Sequence, residues 1–197
     1  MDILIFKVIA LLALYIFAFF ISDFRDKKGM IPLVNKRLIL FIKIFYFIPI
    51  LIYTYVLINL HSLLAQNYLG LFLICTGVTL VAKAKIDIGK YHTWTGHKLR
   101  STKIVTNGIY AFIRHPLYTG IYIFIIGAIM TSSNNNPFSF YSTLLIIAVV
   151  IFIMIFLAIA AFKESKSLQE EFGKEFLKYK KQVHPFLPLR KYSFEEL

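Results

Sequence analysis

The sequence predicts an all-α polytopic membrane helix bundle, with about five transmembrane helices and an amphipathic C-terminal helix. Three observations carry the prediction. Hydrophobic residues make up 58% of the 197-residue chain, and the mean hydropathy is +0.71, more apolar than a soluble domain of this length needs. The apolar residues are gathered into blocks close to the ~20 residues with which a helix crosses a ~30 Å hydrocarbon core. The loops between the blocks alternate between basic and uncharged. No polar linker is long enough to separate two domains, so residues 1–197 read as a single integral membrane domain.

The blocks lie near 3–22, 38–60, 68–86, 116–133 and 138–162. The first lacks a small-residue cleavage site and runs directly into "DFRDKKGM", which reads as a retained anchor rather than a signal peptide. The second contains Pro49, which removes a backbone donor and predicts a kink that neighbouring helices can re-satisfy. The third carries Lys83 and Lys85 at its end, just before the third loop. The fourth opens on Arg114, His115 and Pro116, a cation, a titratable ring and a helix breaker. The fifth is apolar for more than twenty residues and meets Glu164 at its end. In the tail "ESKSLQEEFGKEFLKYKKQV", Leu168, Phe172, Phe176 and Tyr179 recur at helical spacing among charged residues. That pattern predicts an amphipathic helix lying on the membrane surface or folded back on the bundle, with Gly173 as a breaking point.

Loop charge sets the orientation. The first loop holds Arg25, Lys27, Lys28, Lys36 and Arg37, and the third holds Lys90, Lys98, Arg100 and Lys103. The tail from Lys163 onward holds eight Lys or Arg residues. The second loop, "HSLLAQN", and the fourth, "SSNNNP", hold none. The positive-inside rule then places the N-terminus outside and the C-terminus in the cytoplasm, which an odd number of spans satisfies. The same placement explains the net charge of +12 as orientation signals and contacts to anionic membrane lipid, not as a nucleic-acid surface. Cys75 is the chain's one cysteine, so no intrachain disulfide forms. The wealth of Lys, Ile and Asn points to an AT-rich bacterial genome and hence to a bacterial cytoplasmic membrane.

The candidate chemistry gathers around "GIYAFIRHPLYTG", residues 108–120. Pro116 disfavours helix at His115, and irregular backbone at membrane depth is tolerated only where it lines a cavity or is buried in protein. Two readings of Arg114 and His115 stand open. They mark a span end, with Arg114 snorkelling to lipid phosphate, or they face the interior beside Tyr110 and Tyr118 as a small-molecule site. Glu164 is either an interfacial carboxylate paired with Lys163 or Arg114, or the anionic wall of that same cavity. His92, Trp94 and His97 lack the carboxylate or thiolate companions of a metal site, and none is expected. The sequence holds no glycine-rich phosphate loop and no GxSxG elbow.

The stretch "HKLRSTKIVTNGIYAFIRHPLYTG", followed by "KESKSLQEEFGKEFLKYKKQV", resembles the isoprenylcysteine carboxyl methyltransferase family, a group related to the phospholipid N-methyltransferases and to bacterial membrane methyltransferases. The resemblance covers roughly residues 89–188, so this half is expected to bind the cofactor, while residues 1–88 supply generic spans. It implies an S-adenosyl-L-methionine pocket built from the last spans and the tail. Carried over by position, Thr102, Lys103, Ile104, Val105 and Tyr110 would wrap the adenosine end. His115, Pro116, Leu117 and Tyr118 would line the methionine portion, and Glu164 would hold the cofactor from the start of the tail. The loop charges put all of these on the cytoplasmic side, where S-adenosylmethionine is found.

Departures from the family fall mainly on the substrate half. Relatives that methylate prenylated cysteine carry an arginine four residues before the matched glutamate, and here that position is Ala160. Glu164 is flanked by Lys163 and Ser165 instead of further acids, Thr102 replaces a common histidine, and Phe176 replaces a frequent tyrosine. The expected substrate is therefore a lipophilic small molecule or lipid headgroup. In-line methyl transfer from a sulfonium asks the protein mainly for alignment and a dry site. An anionic nucleophile needs no base, whereas an amine or phenol would turn to His115. Arg114 would orient an anionic substrate or pair with Glu164. Two rival classes remain: an NADPH-dependent membrane reductase of similar architecture, and a bundle that has lost catalysis.

Overall fold

The computed structural model describes residues 1–22, 29–45, 47–93, 97–100, 102–134 and 137–189. The basic residues Arg25, Lys27 and Lys28, together with Trp94, Gly96 and the tail from Arg190 onward, lie outside the described residues. Four helices or helix pairs are long and apolar enough to cross a membrane: α1 (Ile3–Ile21), the pair α2 (Lys36–Phe45) and α3 (Phe47–Ile58), α4 (Ala65–Ile88) and α6 (Phe140–Phe172). A shorter apolar helix, α5 (Pro116–Ser132), completes the polytopic helical bundle of an integral membrane protein.

Each boundary has a local cause. Asp2 caps α1 by accepting the Leu4 N–H at 2.8 Å. Pro49 falls in the first turn of α3, where a missing N–H costs nothing. Pro116 takes the first position of α5 for the same reason. The apolar run of the fifth predicted span continues without interruption into the polar tail. Lys, Glu, Gln and Leu are good helix formers, so α6 reaches Phe172, ten residues beyond the predicted end. Gly173, at φ +51°, then ends it, and α7 (Lys174–Gln182) turns away.

The centre of the bundle is the α4–α5 pair, which runs antiparallel. Gly70 and Gly77 on α4 meet Gly127 and Gly120 on α5. A Cβ on Gly77 would lie 2.7 Å from the Gly120 carbonyl oxygen, and one on Gly127 would lie 2.6 Å from the Gly70 carbonyl oxygen. The backbones touch, so each of these positions excludes any side chain, the packing that lets membrane helices associate without a hydrophobic driving force. Around this seam α1 contributes Phe6, Leu14 and Phe17, and the Phe17 ring stacks on Phe124 with centroids 3.7 Å apart. By contrast, α6 leaves Phe140, Tyr141, Leu145 and Phe162 more than 65% exposed, a face suited to lipid.

One element breaks the all-helical pattern. The first and third loops pair as a two-stranded antiparallel ribbon, β1 (Met30–Pro32) with β2 (His97–Leu99). Strands of three residues in charged loops carry no apolar alternation, so there is no period to read. Lys98 of β2 reaches Glu171 of α6 at 3.1 Å, joining the ribbon to the long helix.

Candidate functional site

The site is built where α5 begins. A 3-10 turn, Gly108–Ala111, leads into it, and Gly108 at φ +58° abuts the Asp87 carboxylate so closely that a Cβ would collide with it. Asp87, ion-paired to Lys83 at 2.7 Å, accepts the Ile109 N–H at 2.7 Å and so fixes the turn to the end of α4. Tyr110 is buried there, and its carbonyl accepts the Tyr179 hydroxyl from α7 at 2.7 Å. Burial pushes the Tyr110 hydroxyl pKa far up, with the charges of Glu164, Tyr179 and Asp87 adding to the shift.

The irregular backbone predicted around Arg114 and His115 is satisfied by the segment that holds the chain's second His-Pro dipeptide, His184-Pro185. Residues 183–185 read Val-His-Pro, and they run parallel to Ile113-Arg114-His115 through an Ile113–His184 bridge. The Arg114 N–H donates to the His184 carbonyl at 3.0 Å and the His115 N–H to the Pro185 carbonyl at 2.9 Å. The Arg114 guanidinium adds a bond from Nε to the Val183 carbonyl at 2.8 Å, and Thr119 Oγ1 donates to the Phe186 carbonyl at 3.2 Å. Proline after each histidine prevents either strand from becoming helix, which leaves both free to pair. The tail thus folds back against the bundle, one of the two placements its amphipathic pattern allowed. Leu168, Phe172, Phe176, Tyr179 and Val183 close over Ile104 as a small core.

Three predicted residues come together. The Tyr118 hydroxyl donates to Glu164 Oε1, and His115 Nδ1 lies 3.9 Å from Glu164 Oε2. His115 Nε2 is 2.8 Å from Ser165 Oγ. Burial and then the Arg114 charge lower the His115 pKa from 6.5 to about 3, so the ring is neutral at physiological pH. Burial also lowers the pKa of Arg114, which stays a cation. Beside this group opens a cavity of about 640 Å³. Ala158, Ala161, Phe162, Pro185 and Phe186 supply its apolar lining, Arg114, Lys166 and Lys180 its cations and Glu170 an anion, and His115, Ser165 and Gln169 also line it. That volume is in the range of small-molecule sites.

Other predicted residues stand elsewhere. Pro116 is buried at the helix start, Leu117 packs against the main core, Ile104 packs under α7, and Thr102, Lys103, Ile104, Val105, Tyr110, Tyr118 and Glu164 are not among the residues that line the cavity. Lys103 Nζ sits 5.2 Å above the Tyr91 ring. Ala160 is fully buried in the bundle core, while its neighbour Ala161 lines the cavity. Sequence reading missed Asp87, Ser165 and Phe186. The repeated His-Pro was the available signal for the last, because two such dipeptides bracket the expected site.

The fold is thus a polytopic helical bundle that sets a carboxylate, a neutral imidazole and a phenol close to a cavity of small-molecule size. Residues 65–175 match the phospholipid methyltransferase family model, and the chain belongs to that family. It is 31% identical over 118 residues to the protein-S-isoprenylcysteine O-methyltransferase of Schizosaccharomyces pombe, covering 59% of this chain and 47% of that one. It is 27% identical over 124 residues to a probable protein-S-isoprenylcysteine O-methyltransferase of Oryza sativa subsp. indica, covering 62% and 61%. The chain thus spans about half to three-fifths of the length of the curated relatives it matches. The resemblance drawn from the RHP stretch is borne out at the level of family.

Proposed function

We propose that the chain is an S-adenosylmethionine-dependent methyltransferase acting on a lipophilic or amphiphilic acceptor at a cytoplasm-facing site. The observation that carries this is the Glu164–Tyr118–His115 cluster, of which His115 lines a cavity walled by apolar residues, three cations and the Glu170 carboxylate. The residues fit the cofactor. Its cationic groups call for an anion, and Glu164 supplies one at the end of an apolar stretch, held in place by the Tyr118 hydroxyl. When bound, S-adenosylmethionine supplies a methyl group that is already activated. The chain's own work is then to bind, orient and exclude water, and pairing of residues 113–115 with 183–185 makes the site rigid enough to do so. Tyr110, buried, with its carbonyl bonded by the Tyr179 hydroxyl and its neighbour Ile109 held by Asp87, would close the adenosine side.

The printed names of the relatives describe methylation of isoprenylcysteine. In this chain an anionic acceptor would meet Arg114, which lines the cavity, and not position 160, which is buried in the core. Carboxylates are therefore one reading of the acceptor. Lipophilic hydroxyls, thiols, amines and lipid headgroups are the other.

The reading is tested by calorimetry of S-adenosylhomocysteine on the solubilised protein, and by incubation with methyl-labelled S-adenosylmethionine and total membrane lipid. Binding and a labelled lipid product are expected, and a folded protein that binds neither cofactor form would overturn the proposal. The orientation has its own test in a Cys75→Ser background. A cysteine at Ser133 should react with an impermeant reagent from outside, and one at Lys178 should not.

A further inference from the structure

We propose that Ser165 is a catalytic residue that, through His115, takes the proton of a hydroxyl or thiol acceptor. This rests on the methyltransferase reading above and names the acceptor class. A neutral imidazole carries one N–H, and the group facing Nδ1 is the Glu164 carboxylate, with Oε2 at 3.9 Å. A carboxylate favours the proton on the nitrogen it faces, so Nε2 holds the lone pair. Ser165 Oγ, 2.8 Å from Nε2, is then the donor in that bond. A hydroxyl has one proton to give and two lone pairs. With its proton committed to His115, Ser165 offers the cavity it lines only the capacity to accept.

A headgroup that seats against Ser165 must therefore donate. A carboxylate has no proton to give, and its lone pairs would face those of the serine. An O–H or S–H donates and places its heteroatom beside the relay. As the heteroatom's lone pair forms the bond to the methyl carbon, the carbon–sulfur bond of the sulfonium donor breaks with its electron pair going to sulfur. The acceptor's proton moves to Ser165 Oγ while the serine's own proton moves to Nε2, and the imidazolium so formed faces the Glu164 carboxylate. As its oxygen is alkylated the attacking hydroxyl becomes strongly acidic, so a weak base suffices. The buried ring then sheds its proton to water and starts the next turnover neutral. An amine, which arrives as an ammonium, needs a base only to free its lone pair before attack, and no relay during transfer, because its methylated product keeps its proton. The apolar residues Ala158, Ala161, Phe162 and Phe186 take the chain that such an amphiphile brings. The opposing pull is Arg114, whose Nε is committed to the Val183 carbonyl but whose other nitrogens would favour an anion.

The experiment sets these classes side by side. Wild type, Ser165→Ala and Ser165→Thr are reconstituted in lipid nanodiscs and given labelled S-adenosylmethionine. The acceptors are a long-chain phenol, an alkanethiol, an alkylamine and farnesylated N-acetylcysteine. Turnover of the phenol or thiol by wild type is expected, with kcat about a hundredfold lower in Ser165→Ala. Ser165→Thr should restore it, and S-adenosylhomocysteine affinity should be the same in all three. Nitrogen-15 shifts of His115 give a readout independent of turnover: Nδ1 protonated and Nε2 accepting in wild type, with Nε2 shifted in Ser165→Ala. An Nε2–H ring in wild type overturns the inference. So does cofactor binding accompanied by no turnover, by turnover of the amine or carboxylate alone, or by phenol or thiol turnover indifferent to Ser165. A wild type that binds no S-adenosylhomocysteine overturns the methyltransferase reading itself, so the two failures are told apart.

Discussion

The α4–α5 pair carries a polar cluster at each end, and the two ends solve opposite problems. At the end away from His115, Asn67 and Thr131 are fully buried. Asn67 accepts the Leu64 N–H at 2.6 Å and donates to the Thr131 carbonyl at 2.9 Å and to Asn134 at 2.7 Å, while Tyr53 and Thr131 share a bond of 2.6 Å. Every one of these partners belongs to the bundle, and several are helix-end groups that need capping. At the other end, Glu164, Tyr118, His115 and Ser165 are also hydrogen-bonded, but a cavity of about 640 Å³ adjoins them. The closed cluster spends its polarity on holding helix ends together. The open one keeps an anion and an acceptor pair beside a space. Burial and bonding are common to both clusters; what distinguishes the second is an adjoining cavity.

The largest expected effect removes both clusters together. Gly77→Leu places a side chain where the Gly120 carbonyl oxygen would lie 2.7 Å from the new Cβ, so α4 and α5 must part. Overpacking of this kind costs about 1–3 kcal/mol or more, and the contact here is to backbone, which cannot rotate away. Thermal unfolding in detergent should show the loss, and cofactor binding should fall with it. Wild-type stability and binding in Gly77→Leu would mean the two ends are not joined through this seam.

Glu164→Gln and Asn67→Ala then separate the ends. The first should leave the melting temperature near that of wild type and weaken S-adenosylhomocysteine binding by about 1.5–3 kcal/mol, roughly ten- to a hundredfold. The second should destabilise the fold by about 1–3 kcal/mol, because buried groups lose their partners. The affinity of the protein that remains folded should not change. Calorimetry and unfolding curves on both variants give a two-by-two result, and an affinity loss in Asn67→Ala would break the comparison.

How much of this was legible depended on the kind of signal. The spans were readable because apolar runs of helical length report on the membrane alone, and Gly173 and Pro116 punctuate helices by backbone constraints that act locally. Arg114, His115, Tyr118 and Glu164 stood out because charge and a helix breaker are costly in an apolar chain. Asp87 and Ser165 were silent. An aspartate after Lys83 and Lys85 reads as an ordinary interfacial charge, and a serine among Lys and Glu reads as surface. Their roles exist only once Ile109 and His115 are brought to them from elsewhere in the chain. The pairing of residues 113–115 with 183–185 was half visible in the repeated His-Pro, but parallel pairing across that distance has no local period. Ala160 shows the converse: a position matched by spacing to a substrate-gripping arginine lies in the core here, because one residue along a helix turns a side chain by about 100°.

The smallest expected effect lies at the edge of the open end. Lys98 and Glu171 tie the β1–β2 ribbon to α6 at 3.1 Å, and their side chains are 27% and 30% exposed. A partly exposed pair gains little after side-chain entropy and screening, typically about 0.2–1 kcal/mol. A double-mutant cycle of Lys98→Ala and Glu171→Ala on stability should return a coupling in that range that shrinks as salt is raised. If the ribbon serves only to cover loops, the cycle on S-adenosylhomocysteine affinity should return zero. α6 also carries Glu164 and Ser165, so a measurable coupling in affinity would mean that the ribbon sets where α6 stands over the cavity. It would extend the open cluster outward by one more contact, which the closed cluster at the far end has no counterpart for among the described residues.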